Sequence, residues 1–253
     1  MKLKNIPKYI QLLLGIKANE ILGFRLLAMV AKRFVPNYRF TWPELAWFQN
    51  PKLIKVLKRF DEDEGFNSHR RFALQQLLRL TSNVPGDTAE CGVYKGCGSY
   101  IILESNKQST FERVHHVFDS FEGLSNPSGK DGEYWTANDL SIEENIVKKN
   151  LIDFNNFKLY KGWIPNRFEE IRDCKFSFVH VDVDLYEPTL ESIKFFYEKI
   201  NSGGIFVCDD YGFLTCPGAT AAMDEFLLAK QEKMISLPGG GGFFIKGCVT
   251  APE

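Results

Sequence analysis

Two rhythms of apolar and polar positions divide the chain. Before residue 60, apolar side chains recur every three to four positions: Tyr9, Leu12, Leu13 and Ile16, then Ile21, Phe24, Leu27 and Ala28, with Lys and Arg between them. That spacing places them on helical faces, and Pro36 and Pro43 punctuate the segment. From Asp87 onward, short apolar runs alternate with helical patterns, as in a parallel sheet whose strands are joined by right-handed crossover helices. The predicted strands are Thr88–Val93, Val114–Asp119, Phe157–Tyr160, Phe176–Asp182, Gly204–Asp209, Met234–Leu237 and Gly242–Lys246. Helices are expected at Gly98–Ser105, Ile142–Asn150, Pro188–Ile200 and Ala219–Lys230. Between a strand and a helix, Gly123–Asp139 is rich in Gly, Pro, Asn and Ser, and a loop that long in a compact domain is more often functional than idle. The expected organisation is a basic N-terminal helical segment, 1–75, as a lid or oligomer contact, followed by an α/β domain, 76–253.

Charge sharpens this division. The 253 residues carry a net charge of −1, with 44% hydrophobic and 25% charged positions, which suits a well-filled core and excludes a disordered tail or a disulfide-stapled miniprotein. Residues 1–60 hold twelve Lys/Arg against Glu20 and Glu44, or +10; the remainder hold nineteen against thirty, or −11. A basic amphipathic segment can close over the body, support a homo-oligomer, or rest peripherally on an anionic inner membrane surface. Lys17, Asn19, Glu20 and Arg25 interrupt any signal-like apolar run, and no stretch approaches the ~20 apolar residues of a membrane span. Six cysteines without a C-x-x-C pair or zinc spacing read as small hydrophobes in a reducing compartment, so a cytoplasmic protein is expected.

In a doubly wound sheet, ligands bind beyond the carboxyl ends of the strands, and here those ends are acidic: Glu90, Asp119, Asp182 with Asp184, and Asp209–Asp210. One or two such residues could cap helices; four sites on one rim point to ligands. The turn E-C-G-V-Y-K-G-C-G-S at 90–99 permits close backbone approach but is neither G-x-G-x-x-G nor a P-loop. An acid there, in place of a diphosphate cradle, favours a cationic cofactor. Asp119 can accept hydrogen bonds from the ribose hydroxyls of a nicotinamide cofactor or of S-adenosylmethionine, and Glu90 in the first turn favours the latter. V-H-V-D-V-D-L-Y at 179–186 and V-C-D-D-Y at 207–211 bring Asp182, Asp209 and Asp210 to the ends of consecutive strands. Three converging carboxylates need a cation, and hard oxygens without Cys or His select a Mg²⁺-type ion. His180 is expected to turn away from these aspartates as a core residue, and His115 and His116 have no evident role.

D-T-A-E-C-G-V-Y-K-G at 87–96, F-D-S-F-E-G-L at 118–124, H-V-D-V-D-L-Y-E-P-T at 180–189, D-D-Y-G at 209–212 and C-P-G-A followed by D-E-F at 216–226 together resemble the macrocin O-methyltransferase (TylF-like) family. The resemblance implies a Rossmann-like class I methyltransferase over 76–253: a mostly parallel seven-stranded sheet with its last strand antiparallel and helices on both faces. It implies S-adenosylmethionine as cofactor and Mg²⁺ or another divalent cation, acting on sugar hydroxyls. Carried onto this chain, it places Glu90, Gly92 and Ser99 around the methionine moiety, Asp119 on the ribose, and Ser120 and Phe121 near the adenosine. Asp182, Asp209 and Asp210 fall on the metal, Asp182 also as general base, with Asp184 and Tyr186 at the sugar; Asp184 is the alternative base. The chain departs from the family pattern at P-G-G-G-G-F-F, 238–244, and its first 60 residues lie outside the matched blocks.

The expected reaction is in-line transfer of a methyl group to a sugar hydroxyl of a glycoside, polysaccharide or natural-product precursor. A metal-dependent glycosyltransferase using Asp182-Val183-Asp184 as D-x-D is the alternative, though the glycine turn and the second acidic pair are surplus to it. A nicotinamide oxidoreductase lacks its fingerprint, and a scaffold module has no need of three mutually repelling carboxylates. Nucleic acid is excluded as a partner because the rim is acidic.

Overall fold

The computed structural model describes residues 10, 20–35, 41, 45–63 and 67–251, and the chain forms two compact units, 1–55 and 56–253. Helix α1 (Glu20–Phe34) carries Ile21, Phe24, Leu27 and Ala28 and ends in Lys32 and Arg33, where positive charge favours the carbonyl end of the helix dipole. Tyr9, Leu12, Leu13, Ile16, Pro36 and Pro43 fall outside the described residues. After a 3-10 turn at Ala46–Gln49 comes α2 (Pro51–Arg59). Asn50 Oδ1 accepts the N–H groups of Lys52 and Leu53 at 3.1 and 3.3 Å, and Pro51 follows at the first helical position, which needs no donor. Among the described residues, no helix is long and apolar enough to cross a membrane.

The second unit holds α3 (Asn67–Leu80), β1 (Asp87–Cys91), α4 (Cys97–Asn106), β2 (His115–Asp119), α5 (Glu144–Asn150), β3 (Phe157–Lys161), β4 (Phe176–Val181), α6 (Tyr186–Phe196), β5 (Ile200–Cys208), α7 (Pro217–Leu227), β6 (Ile235–Ser236) and β7 (Gly242–Ile245). The seven strands stand in the order β3-β2-β1-β4-β5-β7-β6. β1 to β5 run parallel, and β7 is antiparallel to β5 and β6. All seven expected strands are present. α6 stops earlier than its sequence pattern suggests because Ile200 already pairs with Phe176 and opens β5.

Period-two alternation builds two cores. On β2, Val117 joins Leu103, Val147 and Leu151, whereas its neighbour Phe118 joins Phe168, Phe196 and Tyr160, stacking on the last with centroids 4.5 Å apart. Central β4 is buried along its whole length. The strand order reverses between β1 and β4, which opens a crevice at their carboxyl ends. The chain leaves β1 through Gly92, at φ +77°, where an added Cβ would overlap the Asp182 carbonyl oxygen. Gly92→Ala is therefore expected to destabilise the fold by about 2–4 kcal/mol through left-handed strain and overlap, seen as a lower urea midpoint at unchanged m.

Candidate active site

A cavity of about 670 Å³ opens at this crevice, with Gly92, Asp119 and Ser120 on its lining together with Asp182, Asp184 and Asp210. Asp119 accepts the N–H of Val93 on one oxygen and of Phe121 on the other, both at 2.7 Å. One carboxylate thus pins the turns after β1 and β2 while burial pushes its pKa up. Tyr134 and Trp135, from the 123–139 loop, and Trp163 and Phe213 supply aromatic wall. Phe121 belongs instead to the Val117 core, and the Tyr186 hydroxyl bonds Glu225 at 2.6 Å; neither lines the cavity.

Glu90 and Ser99 lie beneath the lining. The Glu90 carboxylate is 2% exposed, meets His180 Nδ1 at 2.8 Å, accepts the Ser99 hydroxyl and packs against Gly98. Ser99 Oγ also meets His115 Nε2 at 3.0 Å, and His115 Nδ1 meets Thr88 Oγ1 at 3.0 Å. Burial lowers the His115 pKa to about 3, so this ring is neutral. His180 is the opposite case: although burial opposes its charge, Asp209 and Glu90 raise it to about 10. Its Nε2 lies 3.6 Å from Asp209 Oδ1. It does not turn away from the aspartates: a ring nitrogen of His180 and carboxylate oxygens of Asp182 and Asp209 all lie within 4.8 Å of one another.

Asp182, Asp209 and Asp210 converge, and two arginines meet them. Arg70 Nη2 lies 3.2 Å from Asp182 Oδ1 and 3.6 Å from Asp210 Oδ1, and pairs with Asp209 Oδ2. Arg71 reaches Asp182 Oδ2 at 3.5 Å and Asp209 Oδ2 at 3.2 Å, while its Nε bonds Glu62 at 2.6 Å. Sequence reasoning missed Arg70, Arg71 and Glu62. One signal existed: Ser68, Arg71, Leu74 and Leu78 form a single buried stripe of α3, so a charge occupies an apolar position. Against burial, Arg70 and His180 hold Asp209 well below the usual carboxylate range. Burial, Asp184 and Asp182 push Asp210 well above it.

Asp184 faces a different set. β4 ends at Val181, so strand alternation does not extend to place Asp182 and Asp184 on one face. Asp184 takes φ +59°, costly for a residue with a side chain. The turn is braced by Asp210 Oδ2, which accepts the N–H groups of Val183 and Asp184 at 3.0 and 2.8 Å. The Cys216 thiol lies 3.5 Å from Asp184 Oδ1. Burial and Asp182 raise the Asp184 pKa to about 7, and burial and Asp209 raise that of Asp182 to about 6.

The family model described as Macrocin-O-methyltransferase (TylF) matches residues 68–238. Demethyldecarbamoylnovobiocin O-methyltransferase of Streptomyces niveus is 28% identical over 182 residues, covering 63% of this chain and 68% of that protein. A Streptomyces olivaceus enzyme, 8-demethyl-8-(2,3-dimethoxy-alpha-L-rhamnosyl)-tetracenomycin-C 4'-O-methyltransferase, is 25% identical over 154 residues, covering 55% of this chain and 58% of that protein. The crystal structure of the calicheamicin methyltransferase CalS11 shares the fold, with a TM-score of 0.64 at 18% identity over 83% of this chain and 96% of that one.

Proposed function

Because the chain belongs to the macrocin O-methyltransferase (TylF) family, and is thus an S-adenosylmethionine-dependent O-methyltransferase, we propose that it methylates a sugar hydroxyl of a glycoside, saccharide or natural-product precursor with the help of a divalent cation. The observation that carries the metal is the arrangement of Asp182, Asp209 and Asp210 around one point, where a nitrogen of the Arg70 cation stands in. Hard carboxylate oxygens suit Mg²⁺. When bound, such an ion supplies Lewis acidity that makes a hydroxyl easier to deprotonate. The sugar is supported by the relative named for a rhamnosyl substrate and by the aromatic and acidic lining of the cavity.

In this reading Asp119 holds the ribose hydroxyls, with Gly92 and Ser120 beside the cofactor. Glu90 and Ser99 act from beneath, fixing the 96–99 turn. We place the general base at Asp184 instead of Asp182. Both line the cavity, but Asp182 belongs to the proposed cation set, whereas Asp184, its pKa raised to about 7, stands beside that set with the Cys216 thiol. Orientation of the acceptor oxygen toward the sulfonium methyl supplies much of the acceleration. Methyl-labelled S-adenosylmethionine, offered with vicinal-diol sugars and their glycosides, tests the proposal. Transfer to a sugar hydroxyl is expected, falling at least about tenfold on complete metal removal and returning with Mg²⁺. Full activity without metal overturns the cation's role; transfer confined to non-sugar hydroxyls overturns the acceptor.

A further inference from the structure

Arg70 stands where the three carboxylates converge. Its Nη2 meets one oxygen from each of Asp182, Asp209 and Asp210, and two cations cannot share that point. Asp209 and Asp210 are buried and Asp182 is half-buried, and carboxylates gathered in this way are costly without a counter-charge; Arg70 supplies one. Arg71 is built differently. Its Nε is fastened to Glu62, outside the hub, at 2.6 Å, and its other ion pairs among the described residues are with Asp182 and Asp209. Arg71 is thus a fixed partner at the edge, while Arg70 is the central one.

Resting on the cation reading above, we propose that Arg70 is an exchangeable internal counter-ion. It neutralises the aspartate hub when no metal is present and leaves the centre when a divalent cation enters. Arg70 stands in the first turn of α3 with Asn67, and both line the cavity. Metal entry therefore reshapes the wall that faces the acceptor, coupling ion occupancy to acceptor binding through one side chain.

Mn²⁺ binding to the full chain, by calorimetry and by the electron paramagnetic resonance of the free ion, tests this in wild type and Arg70→Gln. Removing the competitor should tighten Mn²⁺ binding at least about tenfold, the equivalent of one lost charge-assisted contact. The variant should also melt lower than wild type without metal and gain more from Mn²⁺. Equal or weaker binding in Arg70→Gln overturns the exchange alone. Absence of Mn²⁺ binding in both proteins overturns the metal reading and the exchange with it. Should Arg70→Gln fail to fold, Arg70→Lys keeps the charge on a shorter reach and is expected to bind Mn²⁺ more tightly than wild type; no tightening overturns the proposal.

Discussion

Asp184→Asn is expected to lower kcat for methyl transfer by about 10²–10⁴-fold, the usual value of a positioned general base, with S-adenosylmethionine affinity unchanged. The amide keeps the volume and can still meet the Cys216 thiol, but it cannot take a proton. Burial and Asp182 raise the Asp184 carboxyl to about 7, so it is protonated, and useless as a base, below that pH. Wild-type kcat/KM should therefore climb with pH to a plateau, through a limb no higher than about pH 7 because the proposed cation on Asp182 draws the Asp184 pKa down, and the variant's residual rate should lack that limb. Asp182→Asn separates the two carboxylates. It removes a partner of both arginines and a member of the hub, so it should weaken Mn²⁺ binding, which Asp184→Asn should leave intact. Full kcat in Asp184→Asn, or persistence of the pH limb, would return the base to Asp182.

The fold was legible because each strand is a short apolar run with its own acidic or glycine punctuation. The aspartates at 119, 182, 209 and 210 were legible as strand ends, since topology sends every parallel strand's carboxyl end to the same rim. Arg70 and Arg71 were not. Their partners lie 112 and 138 residues away, and a long-range ion pair leaves no local period; only Arg71's place in the apolar stripe of α3 betrays it. Glu90 read as a cofactor contact because an acid in the first turn suits a cation. The cation it meets is His180, two residues before Asp182. Asp184 was read by strand alternation, which fails once the backbone turns left-handed beyond Val181.

His180→Leu is expected to cost about 3–5 kcal/mol of stability near pH 6.5, because it leaves a buried carboxylate without its cation. Glu90 is 2% exposed, and with His180 gone only the Ser99 hydroxyl would remain among the side-chain partners described above. Asp209 would lose a cation as well, though it keeps both arginines. The sign of the pH dependence follows from the raised pKa. His180 is charged up to about pH 10 in the folded protein, against 6.5 ordinarily. Its contribution is thus complete below about pH 6.5, declines as the pH rises, and is gone above about 10. Urea unfolding of wild type should show that decline, and His180→Gln should remove it. The double variant Glu90→Gln/His180→Gln makes the decisive comparison. With both charges absent, its cost should fall short of the sum of the single costs by about 0.5–3 kcal/mol, the range for groups in direct contact. Costs that simply add would mean that Glu90 is held by Ser99 alone, and that His180 owes its charge to Asp209.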